Sequence, residues 1–176
     1  MHQDFIRLIN DPILILSGDA GVGKSHLIAD VVERRAKEKQ FSLLFLGQNF
    51  VTDEEPFTQM MNNMLYFKGS SEELLEMLEA KAEASGHRII IFIDAINEGH
   101  GLTIWQRYIR GFVDKIRQHP WLGLVLSIRN SYEDAILPWD EFGYDYCVRA
   151  RHHGFGRNTQ KAVRLYFNPH CNGLIT

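Results

Sequence analysis

The feature that most constrains this chain is a glycine-spaced loop between an apolar run and a helical pattern. The residues of the loop are Gly18, Asp19, Ala20, Gly21, Val22, Gly23, Lys24 and Ser25, and they fit G-x-x-x-x-G-K-[ST] at every required position. Glycines let backbone N–H groups converge on phosphate oxygens, and a helix that starts there presents its positive end to an anion. The spacing therefore predicts a loop that holds the phosphates of a nucleoside triphosphate.

The last residues of this loop have separate predicted tasks. The Lys24 ammonium can reach the β- and γ-phosphates of the nucleotide. The Ser25 hydroxyl can bind Mg²⁺, an ion that keeps several waters and takes few protein ligands. We include the next residue, His26, in the predicted nucleotide-binding segment, although we interpret it as a helix-start residue and not as a phosphate ligand.

Apolar runs of strand length alternate with helical patterns along the chain, which predicts an α/β fold with a mostly parallel sheet. We predict strands at 12–17, 42–46, 88–94, 122–128 and 146–150, and helices at 24–39, 71–84, 103–119 and 158–165. Residues 52–67 are predicted to form a loop and a short helix. Ser71 is the expected N-cap of the helix at 71–84, and Gly86 follows its expected end.

An apolar strand that ends in a carboxylate provides the second predicted part of the site. Asp94 ends the run IIIFID, where an aspartate can support Mg²⁺ opposite the loop hydroxyl. Glu98 follows four residues later and can orient or deprotonate the attacking water. The alternative is that Asp94 only ends the strand and that Glu98 is a solvated loop charge.

The fourth predicted strand ends at Arg129, and ligands of open α/β sheets bind beyond the carboxyl ends of the strands. A guanidinium at this position can sense or stabilise the terminal phosphate of the nucleotide. The alternative is an ordinary strand-end arginine paired with a surface acid such as Glu133.

Together, the segments GDAGVGKSHL, IIIFIDAINEG, HPWLGLVLSIRNSYE and HHGFG resemble the ATPase core of STAND NTPases, and especially NACHT-like antiviral proteins of prokaryotes. The resemblance covers residues 10–160. It implies a three-layer P-loop NTPase fold of the ASCE type, with the strands of a five-stranded sheet in the order 5-1-4-3-2. It also implies ATP and Mg²⁺ as ligands, and oligomerisation of the core that switches on an effector.

The resemblance implies a role for each matching residue. Lys24 and Ser25 correspond to the Walker A pair, Asp94 to the Walker B acid, Glu98 to the catalytic glutamate and Arg129 to the sensor arginine. Relatives also carry an effector, lid domains and a repeat sensor. We therefore expect a truncated copy, in which residues 1–156 form the NTPase core and residues 157–176 form a C-terminal helix and tail where a missing lid begins.

Composition limits the expected partners and location. The formal net charge of −3 gives no overall basic field for nucleic acid or an anionic membrane. Cys147 and Cys171 lie in no zinc or disulfide pattern, and the N-terminus has no signal-peptide pattern, so we expect a cytoplasmic protein with free thiols. The family resemblance leads us to expect ATP, and no guanine-reading NKxD-type motif occurs in the sequence.

Two other functions remain open at this stage. The length and the phosphate loop also suit a small-molecule phosphotransferase of the nucleotide-kinase type, although no arginine-rich lid segment is visible. A non-catalytic nucleotide-binding fragment is the second alternative. The local basic cluster of Arg149, Arg151, His152 and His153 is interpreted as a solvated strand end.

Overall fold

The computed structural model of the 176-residue chain describes residues 11–139 and 147–154. The strands are β1 (Ile13–Gly18), β2 (Ser42–Leu46), β3 (Ile89–Asp94), β4 (Leu122–Arg129) and β5 (Val148–His152). The helices are α1 (Lys24–Lys37), α2 (Pro56–Gln59), α3 (Ser71–Ser85), α4 (Gly101–Arg117) and α5 (Asn130–Ile136). A 3₁₀ turn at Gly47–Asn49 follows β2, and a π-helical turn at Met60–Leu65 follows α2.

The five strands form one sheet in the order β2-β3-β4-β1-β5, with every neighbouring pair parallel. Read from the other edge, this is the predicted order 5-1-4-3-2, so the predicted fold is confirmed. Because β4 lies between β1 and β3, the carboxyl ends of these three strands meet at one edge of the sheet. The phosphate loop and the candidate acids leave the sheet at this edge.

Alternating residues of each strand bury their side chains on opposite faces of the sheet. In β1, Leu14 and Leu16 belong to the core beneath α1, whereas Ile13 and Ile15 belong to the larger core on the other face. Helices α3 and α4 supply much of that larger core, and Trp105 of α4 lies within it at 0 % exposure. The molecule therefore has helices on both faces of a buried parallel sheet, the three-layer arrangement that the continuous apolar runs predict.

Most predicted boundaries lie within two residues of the observed ones. The fifth strand begins at Val148, two residues later than predicted, and α4 begins at Gly101, two residues earlier. The segment predicted as a loop and a short helix contains α2 and the π-helical turn. The helix predicted at 158–165, and with it the division of the chain at residue 156, lies outside the described residues.

The predicted cap of α3 is wrong by one residue. Ser70 is the N-cap: its side chain accepts a hydrogen bond from the Glu73 backbone N–H at 3.1 Å, and the Glu73 carboxylate accepts one from the Ser70 N–H at 2.7 Å. Ser71 instead lies in the first turn, buried, and its hydroxyl accepts a hydrogen bond from Lys115. The sequence distinguishes the two serines, because Ser70 has Glu73 three residues later and completes a capping box, whereas Ser71 has Leu74 at that spacing.

We expect Ser70→Ala to lower the free energy of unfolding by about 1 kcal/mol, because it leaves helix N–H groups without their cap. Ser71→Ala is the matched control, and its cost is expected to be smaller because alanine is a better helix former than serine. Urea unfolding of both variants checks this expectation. A larger loss for Ser71→Ala would contradict the capping assignment.

Candidate functional site

The phosphate loop connects β1 to α1 at the carboxyl edge of the sheet. Gly21 and Gly23 have φ angles of 73° and 95°, a left-handed conformation that side chains other than glycine adopt with strain. Gly23 precedes α1 directly, so its conformation turns the loop into the first helical turn. The observed backbone therefore explains why the loop needs glycine at these two positions.

Lys24 lies inside the loop, at 9 % exposure. Its ammonium donates hydrogen bonds to the carbonyl oxygens of Gly18 at 2.8 Å and Asp19 at 3.0 Å. Burial lowers the pKa of Lys24; the carboxylates of Asp94 and Asp19 counteract this decrease, and Arg129 adds to it. The charges of the predicted Walker B acid, Asp94, and the predicted sensor arginine, Arg129, therefore both act on Lys24.

Asp94 is the last residue of β3 and is 7 % exposed. Its carboxylate accepts a hydrogen bond from the Ser127 hydroxyl of β4, and this hydroxyl accepts one from the Ala95 N–H at 2.7 Å. Asp94 is thus held in place by the neighbouring strand. Ser25, the other predicted metal ligand, is solvent-exposed at the start of α1, as is His26.

The loop that follows Asp94 packs closely against the segment that follows β2. Ala95 has a φ of 55°, an unusual value for a residue with a side chain. A side-chain carbon at Gly47, just after β2, would overlap the carbonyl oxygen of Ala95, so the two segments can approach only because residue 47 is glycine. The backbone N–H of Ile96 also donates to the Ser127 carbonyl at 2.9 Å. Packing therefore fixes the segment that carries Glu98.

Glu98 and Arg129 form an ion pair, with Arg129 Nη2 and Glu98 Oε1 separated by 3.1 Å. The backbone N–H of Arg129 also donates to the Asn97 side-chain oxygen at 3.1 Å. The Arg129 and Glu98 side chains are 43 % and 38 % exposed, so solvent screens the pair and it contributes at most about 1 kcal/mol. Glu133 was the alternative acidic partner of Arg129, whereas the acid that contacts Arg129 in the described part of the chain is the predicted catalytic glutamate, Glu98.

Three residues near the loop were not predicted as site residues. Ser127 could have been noticed as a hydroxyl inside the apolar run LGLVLSI, and it is 0 % exposed. Asn130 donates from its side-chain nitrogen to the Asp19 carboxylate at 2.8 Å, a contact across 111 residues that no local pattern reveals. His152 was assigned to a solvated strand end, which is wrong because it is 3 % exposed and pairs with Gly18 in the sheet. Arg149, Arg151 and His153 are exposed, as the interpretation of that cluster requires.

The buried His152 makes stability dependent on pH. Its Nδ1 accepts a hydrogen bond from the Gly154 N–H at 2.9 Å, which requires that nitrogen to be unprotonated. Burial lowers the pKa of His152, and the charges of Lys24 and His153 lower it further. As the pH falls through the ordinary histidine pKa of about 6.5, His152 therefore takes up a proton in the unfolded chain before it does so in the folded chain. This difference lowers the free energy of unfolding at acidic pH.

We expect His152→Gln to reduce the loss of unfolding free energy between pH 8 and pH 5.5, because the variant removes that proton from the unfolded chain. Urea unfolding at both pH values measures the loss. His26→Gln, at an exposed position, is the matched control. A pH dependence in His152→Gln equal to that of the unmodified chain would contradict the assignment.

Comparison with known proteins agrees with this architecture. The Cdc6p structure from Pyrobaculum aerophilum is similar with a TM-score of 0.52 at 16 % identity, over 94 % of this chain and 48 % of that one. A chain in the structure of Drosophila ORC bound to AT-rich DNA and Cdc6 gives a TM-score of 0.50 at 12 % identity, over 89 % of this chain and 55 % of that one. The fold is that of the P-loop ATPases. No protein-family model matches the sequence, and no curated protein matches it significantly.

The solved structures limit what can be transferred. The chain spans about half the length of the structures named above, 48 % and 55 % respectively. At these identities the likeness establishes a shared fold, and it does not single out the STAND family. Across residues 11–139 and 147–154, none of the helices combines the length and the apolar character needed to span a membrane.

Proposed function

We propose that this chain binds Mg²⁺·ATP at the phosphate loop and hydrolyses it slowly, as the ATPase core of a STAND-type signalling switch. The observation that carries the proposal is the convergence of Lys24, Asp94 and the Glu98–Arg129 pair at one edge of the sheet. These groups come from α1, β3, the following loop and β4, and their types match the separate demands of binding and cleaving a triphosphate.

In this proposal, the loop backbone and Lys24 bind the phosphates of the nucleotide. The left-handed conformations of Gly21 and Gly23 support a backbone that curves around an anion. The Lys24 ammonium already lies within the loop on two carbonyl oxygens, and it can exchange these neutral acceptors for phosphate oxygens. The phosphate oxygens carry negative charge and the carbonyl oxygens do not, so the ammonium is attracted more strongly to the phosphates and the exchange favours the bound state.

The metal side of the proposed site consists of Ser25 and Asp94. Bound Mg²⁺ would supply positive charge that neutralises the phosphates and stabilises the charge that develops during their cleavage. Within the described part of the chain, the buried Asp94 carboxylate accepts one hydrogen bond, from Ser127, and it retains lone pairs for the ion or for its waters. Ser25 is the second residue of α1 and is exposed, so its hydroxyl is accessible to an ion. Two oxygen ligands with several waters suit Mg²⁺, which rarely takes a full set of protein ligands.

Glu98 is the proposed general base, and its ion pair with Arg129 explains why we propose slow turnover. The Arg129 guanidinium donates a hydrogen bond to Glu98 Oε1 and therefore competes with the attacking water for this carboxylate. Because the pair is partly exposed and weak, binding of a γ-phosphate can draw Arg129 away at modest cost. Glu98 would then accept the proton of the attacking water, and Arg129 would stabilise the terminal phosphate.

The STAND assignment is the finer part of the proposal. It rests on the motif resemblance, in which an acid-ended strand is followed by Asn97-Glu98 and by a strand that ends in arginine. In the structure, the Asn97 side chain binds the Arg129 backbone and Glu98 binds its side chain, so the two motifs are in direct contact. A cytoplasmic location, assembly of copies through the ATPase core and an antiviral role belong to this same part of the proposal.

The test is equilibrium binding and steady-state hydrolysis with the purified chain. We expect ATP and ADP to bind in the presence of magnesium, more weakly after chelation, and ATP to be hydrolysed with slow release of inorganic phosphate. Folded protein with no affinity for any nucleoside triphosphate at millimolar concentration would overturn the proposal. Phosphate transfer to an added nucleotide would instead favour a phosphotransferase.

A further inference from the structure

Asn130 occupies a distinctive position beside the phosphate loop. It is the first residue of α5 and directly follows Arg129, the last residue of β4. In the sheet register, Arg129 lies opposite Gly18, where the phosphate loop begins. The Asn130 side-chain nitrogen donates to the Asp19 carboxylate at 2.8 Å, so the end of β4 is tied to the second residue of the loop.

The contact with Asp19 also fixes the orientation of the Asn130 amide. An ionised carboxylate only accepts hydrogen bonds, so the amide must turn its NH₂ group, and not its oxygen, toward Asp19. The amide oxygen consequently points away from Asp19. It is buried, and within the described part of the chain it has no hydrogen-bond partner. A buried acceptor without a donor is unfavourable and indicates a missing partner.

We propose that Asn130 is a positioning residue of the nucleotide site, which tethers Asp19 and whose amide oxygen accepts a hydrogen bond from a water molecule that enters with the nucleotide. The inference rests on the proposed function and extends it to a residue outside the predicted motifs. The partner must be a donor, which ionised phosphate oxygens are not. A water bound to the phosphates is the donor that a loaded site would bring.

Asp19 connects this amide to the lysine. The Asp19 carbonyl oxygen accepts a hydrogen bond from the Lys24 ammonium, and the Asp19 carboxylate accepts one from the Asn130 amide. When Lys24 turns to a phosphate, the Asp19 carbonyl loses its donor and the residue can shift. Because the Asp19 carboxylate accepts a hydrogen bond from the Asn130 amide, such a shift would also move Asn130 and would let a water molecule reach its amide oxygen. The Asn130–Asp19 hydrogen bond thus couples nucleotide binding at the loop to the end of β4, where Arg129 lies.

The test compares Asn130→Ala, Asp19→Ala and the double variant. Asp19→Ala removes the tether and keeps the amide oxygen, whereas Asn130→Ala removes both. The matched control is Asn63→Ala, at an exposed helical position away from the site. Two quantities are measured: the ATP dissociation constant with magnesium, and hydrogen exchange of the backbone amides of residues 18–25 without nucleotide.

For Asn130→Ala we expect affinity for ATP to fall about tenfold, the effect of one lost hydrogen bond. We expect Asp19→Ala to lose less, because it retains the amide oxygen and removes a negative charge near the phosphates. The double variant should resemble Asn130→Ala. Without nucleotide, both single variants should show faster exchange in the loop, and Asn63→Ala should show neither effect.

Two results would overturn the inference. If Asn130→Ala binds ATP as Asn63→Ala does, the amide oxygen receives no partner from the loaded site. If loop exchange is unchanged in Asn130→Ala and Asp19→Ala, the tether does not exist in solution. An unmodified chain that fails to bind ATP would reject the proposed function and the water contact, and the exchange measurement would still decide the tether.

Discussion

Lys24→Ala is expected to weaken binding of Mg²⁺·ATP by about 100-fold or more, because it removes charge-assisted hydrogen bonds worth about 3 kcal/mol. Lys24 lies on the Gly18 and Asp19 carbonyls inside the loop, with no other lysine in the segment from residue 18 to residue 25. Because the ammonium is buried within the predicted phosphate loop, water that enters the alanine variant cannot supply an equivalent positive charge there. Isothermal titration with ATP measures the loss.

The matched control for this variant is Lys37→Ala. Lys37 ends the same helix, and its exposed side chain forms an ion pair with Glu33 at 2.6 Å, one turn earlier. We expect its ATP affinity to stay within about twofold of the unmodified chain, since surface ion pairs contribute little. Circular dichroism on both variants separates loss of binding from loss of fold. Affinity within threefold of wild type in a folded Lys24→Ala protein would remove the loop as the nucleotide site.

Glu98→Gln is expected to lower the steady-state turnover of ATP by about 100-fold or more, which is the usual contribution of a general base. Glutamine keeps the shape of the side chain and can still accept a hydrogen bond from Arg129, so ATP affinity should change little. A large loss in turnover without a loss in affinity is the signature of a group that acts on the attacking water. Phosphate release and ATP binding, measured on one preparation, distinguish a loss in turnover from a loss in affinity.

Glu133→Gln is the control for the glutamate. Glu133 lies in α5, one turn beyond Arg129, and was the alternative acid considered for that arginine. Its replacement should leave turnover unchanged, because Arg129 contacts Glu98. Equal turnover in Glu98→Gln, Glu133→Gln and the unmodified chain would exclude Glu98 as the base. It would leave the chain as a nucleotide-binding module.

The strand boundaries illustrate what local pattern can predict. Strands β1, β3 and β4 are apolar on both faces, so a short uninterrupted apolar run identifies each of them. The edge strand β5, with the mixed sequence VRARH, was placed two residues too early because polar and apolar residues alternate there. The cap of α3 was misplaced although a local rule identifies it: both serines suit an N-cap, but only Ser70 has a glutamate three residues later that completes a capping box.

The candidate site likewise combines residues that local sequence patterns predict with contacts that they do not predict. The glycine spacing, Lys24, the acid-ended strand and the arginine-ended strand were visible in the sequence because each is a local pattern. The contacts among them were not visible. The Glu98–Arg129 pair, the Ser127 hydroxyl on Asp94 and the Asn130 amide on Asp19 join residues 31, 33 and 111 positions apart. Such contacts depend on which strands are neighbours in the sheet.

The sequence by itself determined that the chain has a glycine-spaced loop of the P-loop pattern between a buried strand and a helix, within an α/β fold of alternating elements. These properties follow from backbone freedom at glycines and from the period of apolar residues, which act over a few positions. Only the tertiary structure decided that Glu98 is held by Arg129, that His152 is buried beside the loop and that Asn130 has an unpaired oxygen within the described part of the chain. Packing β4 between β1 and β3 creates the Glu98–Arg129 and Asn130–Asp19 contacts, and pairing of β5 with β1 places His152 beside Gly18, because parallel pairing brings distant strand ends together.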